Sequence, residues 1–365
     1  MIPVSEPFIG EGELKNVIEA IKSGWISSKG EFIKEFEEEF AKYIGTKYGI
    51  ATSNGTTALH LALTALGITR GDEVIVPTLT FVATANAVAY CNAKPVFVDS
   101  HPEYWCIDPE KIEEKITDKT KAVVVVHLYG HPCDMNWIKD IAEDHGLYLI
   151  EDAAEAHGAE YKGKKVGSFG DISCFSFYGN KVITTGEGGM CLTNNEELAE
   201  KMRILRDHGM SKKRYWHEVI GFNYRMTNVQ AAIGVAQLNR LDSFIEKKRQ
   251  IAKWYSKELK ELEEKELIRL HPEMKWAKSI YWMYSILIED KAKLSRDELM
   301  RKLEKVGIET RPFFVPIHLM PMYYKGDKFP VAEELSKKGI NLPSGVKLSR
   351  DIILYITRQI RYYFE

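Results

Sequence analysis

Between Tyr48 and Thr193, short and almost wholly apolar runs alternate with segments of helical periodicity. The runs occupy residues 48–52, 73–76, 95–99, 122–127, 147–152, 172–177 and 189–193. A strand that is apolar along its whole length has no solvated face, so it needs cover on both sides. Such strands separated by helices predict an α/β fold built on a largely parallel sheet flanked by helices, with room for antiparallel members.

The flanking regions follow a different period. Leu14, Val17, Ile18 and Ile21 recur at helical spacing until Gly24 interrupts them, and Phe32, Ile33, Phe36, Phe40 and Ile44 form a second stripe. Glu37, Glu38 and Glu39 lie beside that stripe and read as a partly solvated face. Residues 227–259 contain no proline and predict one long helix or a kinked pair. Further on come an alternating stretch at 281–288, a helix near 296–306 and connections carrying Pro312, Pro316 and Pro321. The pattern divides the chain into a large domain, residues 1–245, and a smaller α/β domain, residues 246–365.

Composition narrows the partners. The 365 residues carry 50 basic and 52 acidic side chains, a formal charge of −2, which offers no electrostatic footprint for nucleic acid. No apolar run approaches the roughly 20 residues that span a bilayer, so no membrane segment is expected. Pro3, Glu6 and Pro7 do not suit a secretory signal. Cys91, Cys106, Cys133, Cys174 and Cys191 are odd in number and scattered. They read as small buried hydrophobes in a reducing, cytoplasmic setting, not as a disulfide or zinc framework.

Ligands of open α/β sheets gather beyond the carboxyl ends of the strands, and three candidates fall there. Ser53-Asn54-Gly55-Thr56-Thr57 joins a strand to a helix and reads either as a helix cap or as an anion cradle. It matches neither the P-loop nor the G-x-G-x-x-G pattern, which argues against a nicotinamide dehydrogenase. Asp152 closes an apolar run and reads as a helix cap, a counter-charge for a cation, or a metal ligand. The metal reading lacks further ligands, since His157 supplies one imidazole and reads more simply as a hydrogen-bonded core residue. Lys181 follows a strand and precedes a glycine-rich turn, where burial would depress its amine and make it nucleophilic towards carbonyls. A carboxylate, a buried lysine and an anion cradle together suit pyridoxal 5′-phosphate.

The motifs that carry these residues continue along the chain: Ser23-Gly24-Trp25-Ile26-Ser27, Pro77-Thr78-Leu79-Thr80-Phe81, Glu151-Asp152-Ala153-Ala154-Glu155, Ser176-Phe177-Tyr178-Gly179-Asn180-Lys181 and Asn223-Tyr224-Arg225-Met226-Thr227-Asn228. Through them the chain resembles the DegT/DnrJ/EryC1/StrS sugar aminotransferases over nearly its whole length. The resemblance implies an aspartate aminotransferase-like fold (fold type I) and pyridoxal phosphate as cofactor. It implies that Lys181 bonds the cofactor covalently and shuttles protons, that Asp152 faces the ring nitrogen, and that Glu155 lies near the ring's 3′ oxygen. Phe81 would stack on the ring, while Gly55, Thr56 and Ser176, with Asn54, would hold the phosphate. Asn223 matches a residue that reaches the neighbouring subunit's phosphate, which implies a homodimer with shared active sites. Some relatives carry histidine at the lysine position and are dehydratases; Lys181 favours amino transfer.

Within the family, Arg214-Tyr215-Trp216-His217 and Arg311-Pro312-Phe313-Phe314 point to members acting on a GDP-linked sugar. The expected reaction moves the amino group of L-glutamate to C4 of GDP-4-dehydro-6-deoxy-D-mannose, a step towards O-antigen-type polysaccharides. A UDP- or dTDP-linked keto sugar is the first alternative, and a non-catalytic pyridoxal phosphate sensor the second. Arg311 and His318 are candidate substrate contacts, and Lys212, Lys213 and Arg214 are either diphosphate contacts or a solvated loop.

Overall fold

The computed structural model describes residues 1–364. The apolar runs become strands β1 (Tyr48–Thr52), β2 (Glu73–Pro77), β3 (Lys94–Val98), β4 (Thr120–Val126) and β5 (Tyr148–Asp152). A short hairpin, β6 (Glu160–Tyr161) and β7 (Lys164–Lys165), precedes β8 (Ile172–Ser176) and β9 (Gly189–Thr193). Seven strands form one sheet in the order β1-β9-β8-β5-β4-β2-β3. Pairing is parallel from β3 through β8, and β9 runs antiparallel to both of its neighbours. β2, β8 and β9 are buried at every position, which accounts for their unbroken apolar character. Because β1, β5 and β8 point the same way, Thr52, Asp152 and Ser176 finish on one edge of the sheet.

Helices α1 (Glu11–Ser23), α2 (Glu31–Ile44) and α3 (Gly55–Ala65) cover this region. Gly24 ends α1 with φ 77°, the left-handed conformation that a residue without a Cβ adopts at least cost. The α2 stripe turns inward: the Phe40 ring lies 4.9 Å from Phe175 and 5.2 Å from Phe177, on either side of Ser176. Glu37 is less solvated than its pattern implies, since it accepts from the Ala51 amide at 2.8 Å and pairs with Arg206. The α1 stripe turns outward. Leu14, Ile18 and Ile21 are 53, 43 and 58% exposed, while Glu13 and Ala20 on the opposite face are buried.

Residues 227–259 divide into helices Asn228–Leu238 and Leu241–Glu264, although no proline separates them. At the break, Gln237 and Arg240 both donate to the buried Glu13 carboxylate, so the chain bends where its polar side chains meet one acceptor. The second helix changes cores along its length. Phe244 and Ile245 pack with the large sheet, whereas Ile251, Tyr255 and Leu259 pack with a second cluster that includes Ile286, Ile340 and Ile356. That cluster covers an antiparallel sheet of β10 (Ile268–Leu270), β12 (Tyr284–Ile288), β14 (Gly339–Leu342) and β13 (Arg311–Pro312), while β11 (Ala277–Lys278) joins the β6–β7 hairpin. The first residues also reach this part, with Ile2 bridging Ile308 and the Ser344 amide donating to the Val4 carbonyl at 2.8 Å. All five cysteines are buried and free. Among the described residues, no helix is long and apolar enough to cross a membrane.

Phe40 joins α2 to the strand that ends in Ser176, and it is fully buried. Phe40→Ala should therefore cost about 3–5 kcal/mol of folding stability through lost transfer energy and a residual cavity, measured by denaturant unfolding.

Candidate active site

At the end of β1 the chain turns into α3 with Asn54 as N-cap. Its Oδ1 accepts from the Thr57 amide at 2.9 Å, and the Asn54 amide donates to Thr57 Oγ1 at 3.2 Å. The cap reading holds, and the cap leaves room for the cradle reading, because the Gly55 and Thr56 amides have no hydrogen-bond partner among the described residues. Ser176 faces them from the end of β8. A Cβ built on Gly55 would lie 2.7 Å from Ser176 Cβ, so only glycine keeps this approach open. Free amides at a helix start, with hydroxyls beside them, form an anion site.

Across the cavity stand two carboxylates and an amine. No helix follows Asp152, so it does not cap one. Its Oδ2 accepts from Thr84 Oγ1 at 2.9 Å and its Oδ1 from the Ala154 amide at 3.2 Å. Burial pushes the Asp152 carboxyl up, opposed by Thr84, the Ala154 amide and the charge of Lys181. Glu155 accepts from the Tyr129 amide at 2.8 Å, and burial pushes its carboxyl up to about 7 against the pull of Lys181. Burial lowers the Lys181 amine, while Glu155 and Asp152 oppose that shift. Lys181 Nζ lies 4.0 Å from the centroid of the Trp282 ring. Beneath, Glu151 accepts from the amides of Gly167, Phe169 and Gly170 at 2.6, 2.7 and 2.8 Å and from His127 Nε2 at 3.1 Å, anchoring the strand end that presents Asp152.

These groups line a cavity of about 630 Å³. Asn54, Gly55, Thr56, Phe81, Asp152, Glu155, Ser176, Lys181 and Arg311 all border it. Two expected residues do not. His318 is buried elsewhere, its Nδ1 2.7 Å from Thr78 Oγ1 and its Nε2 3.3 Å from Glu333, so a substrate contact does not follow from its placement. Asn223 is exposed away from this chain's cavity, its Oδ1 accepting from Arg225 Nε at 3.0 Å. Lys212, Lys213 and Arg214 lie on an exposed loop. His157 is a core residue among Phe40, Phe175 and Phe177, but its ring nitrogens have no hydrogen-bond partner of good geometry. Burial pushes its imidazole down to about 3, so it is neutral. Sequence reasoning missed Thr84, Tyr129, Trp282 and Asn341 in the cavity wall. Thr84 stands three residues after Phe81 and was open to the same reading; the others arrive from distant segments with no local signature. No cluster of metal ligands occurs among the described residues.

Pyridoxal phosphate asks for an anion cradle, a carboxylate for a protonated ring nitrogen, and an amine for its aldehyde. The space a Gly55 side chain would fill, the doubly hydrogen-bonded Asp152 carboxylate and the Lys181 amine free of any hydrogen bond meet these requirements. The residues fit the cofactor. Gly55→Ala should weaken pyridoxal phosphate binding at least tenfold, as read by equilibrium dialysis. Glu155 also makes the free protein pH-sensitive. A carboxyl raised in the folded state contributes stability that is present below its ordinary value of about 4.5 and is lost as pH rises towards about 7. Glu155→Gln should flatten the fall in melting temperature across that window.

The model of the DegT/DnrJ/EryC1/StrS aminotransferase family matches residues 7–361. A protein of Escherichia coli O157:H7 named GDP-perosamine synthase is 51% identical over 366 residues, covering 100% of this chain and 99% of that protein. The crystal structure of an aminotransferase from Psychrobacter cryohalolentis superposes with a TM-score of 0.94 at 35% identity, covering 99% of both chains. Spr1654 from Streptococcus pneumoniae, in its PMP form, superposes with a TM-score of 0.93 at 28% identity, covering 99% of this chain and 97% of that one. The chain belongs to the DegT/DnrJ/EryC1/StrS aminotransferase family.

Proposed function

We propose that this protein transfers the amino group of L-glutamate to C4 of GDP-4-dehydro-6-deoxy-D-mannose, releasing 2-oxoglutarate and forming GDP-perosamine. The observation that carries the chemistry is the Lys181 amine, depressed by burial and bordering a cavity that also holds an anion cradle and Asp152. The choice of sugar rests on full-length similarity to the relative named GDP-perosamine synthase.

Gly55, Thr56 and Ser176, assisted by Asn54, would hold the cofactor phosphate, and Phe81 would stack on its ring. Bound pyridoxal phosphate supplies an electron sink for negative charge at the carbon that gains or loses the amino group. Asp152 keeps a negative charge at the ring nitrogen, with Thr84 and the Ala154 amide fixing its carboxylate in place. Lys181 takes and returns the proton at the reacting carbon, a role that suits an amine depressed towards the working pH. Glu155 stands beside it to balance its charge. Arg311 is the cation other than Lys181 that this chain places in the cavity wall, and it receives an anionic group of the substrates. Asn223, directed away from its own cavity, serves the phosphate of a second copy in a homodimer. The outward apolar stripe of α1 suits burial in such an assembly, and the free cysteines suit the cytoplasm.

Incubating the purified protein with pyridoxal phosphate, L-glutamate and a panel of GDP-, UDP- and dTDP-linked 4-keto sugars should give an aminated product, by mass, from the GDP sugar. Amination of only another carrier overturns the sugar assignment, and no amination with any amino donor favours a sensor. Lys181→Ala should lower turnover by about a thousandfold or more, since it removes the proton shuttle.

A further inference from the structure

Lys248 lies on the helix Leu241–Glu264, just where that helix passes from one core to the other. It is only 4% exposed and, among the described residues, has no carboxylate partner. Its ammonium donates to the carbonyl oxygens of Trp282 at 3.0 Å and Ser344 at 2.9 Å. Burial pushes this amine down to about 7. A buried cation without a counter-ion is costly, and two carbonyls can be satisfied by cheaper donors. Its position beside the active site gives it a role.

Trp282, also 4% exposed, is held from both ends. Its carbonyl accepts from Lys248, and its indole N–H donates to the Asn180 carbonyl at 2.8 Å, one residue before Lys181. The preceding Tyr281 has φ 48°, a left-handed conformation that a bulky residue adopts only under constraint. That strained turn delivers the indole face to Lys181 Nζ at 4.0 Å. Between the two lysines remains a void of about 10 Å³, bordered by Ser5, Thr184 and Gln237. It is too small for more than one water.

We propose that Lys248 is a positioning residue for the active-site lysine, acting through Trp282: it fixes the chain that presses the indole face against the Lys181 amine. The inference rests on Lys181 being the amine that meets the cofactor aldehyde. An aromatic face stabilises a cation, so the indole favours the protonated amine and offsets part of the burial that drives its proton off. The groups that face Lys181 are Asp152 and Glu155 beyond β5, His157 behind them, Arg311 and Glu187 in the cavity wall, and Glu6 and Lys248 across the void. Among the described residues, the Trp282 side chain hydrogen-bonds to the Asn180 carbonyl and to none of these groups.

The test follows covalent capture of pyridoxal phosphate by the cofactor-free protein as a function of pH, because only the unprotonated amine attacks. Trp282→Leu should shift the midpoint of this curve down by about one pH unit, and Trp282→Phe, a weaker ring, should shift it less. Lys248→Met should also shift it down while Trp282 is present, and should produce no downward shift in a Trp282→Leu background. Equal shifts in both backgrounds would show that Lys248 acts independently of the indole and overturn the proposal. If Lys248→Met does not fold, the Trp282 series decides: curves that coincide with the parent overturn it. Lys181→Ala separates the underlying reading, since covalent capture that survives it removes Lys181 from the role itself.

Discussion

Two carboxylates and one amine occupy a cavity wall that water reaches poorly, and their mutual charges are what make that tolerable. Asp152 and Glu155 each resist ionisation through burial, Lys181 resists protonation for the same reason, and each draws the other towards the charged form. Burial and charge oppose one another at each of the three, so a change in any one environment alters the proton affinity of the others. Such a balance of perturbed groups is what acid–base chemistry draws on. It also explains why the surrounding hydrogen bonds are specific: Thr84 and the Ala154 amide commit Asp152 to one orientation, and the Tyr129 amide does the same for Glu155.

The balance is set by the sheet. Strands β1, β5 and β8 share a direction, so the free amides of α3, the Asp152 carboxylate and Ser176 arrive together at their carboxyl ends. β9, the reversed strand, brings the chain back between β1 and β8 after the Lys181 turn. Glu151 locks the strand beneath, spending its buried charge on three amides and His127 and leaving its neighbour Asp152 to face the cavity. Alternation along β5 therefore separates a carboxylate that holds the strand from one that borders the cavity.

How much of this was legible follows from where the information lies. The strands were readable because burial on both faces leaves continuous apolar runs, and the large sheet follows them to within one or two residues at each end. Gly55, Asp152 and Lys181 were readable because each sits at a strand end inside a local motif. Trp282 and Tyr129 were not, since they come from segments whose local pattern is that of a β-strand and a turn. For His318 the sequence left a substrate contact and loop packing both open, because a polar residue among prolines suits either, and tertiary packing buries it against Thr78 and Phe329. Residues 227–259 read as one long helix or a kinked pair, and the choice between the two was not local because the buried acceptor at the break, Glu13, lies more than 200 residues away.

The outward α1 stripe is the point at which periodicity identified the helix without fixing its environment. A helix covers its apolar stripe when it can, yet α1 buries the face bearing Glu13 and Ala20 and leaves Leu14, Ile18 and Ile21 in solvent. Glu13 explains the inward turn, because it is the acceptor for Gln237 and Arg240 at the helix break. Rotating the stripe inward would strand those donors. The exposed aromatics Phe81 and Tyr178 border the cavity, and Trp25 and Ile26 continue the exposed apolar surface beyond α1. An apolar surface of this kind, continuous from the outward stripe of α1 to the residues that follow it, marks a place where a protein meets another surface rather than water.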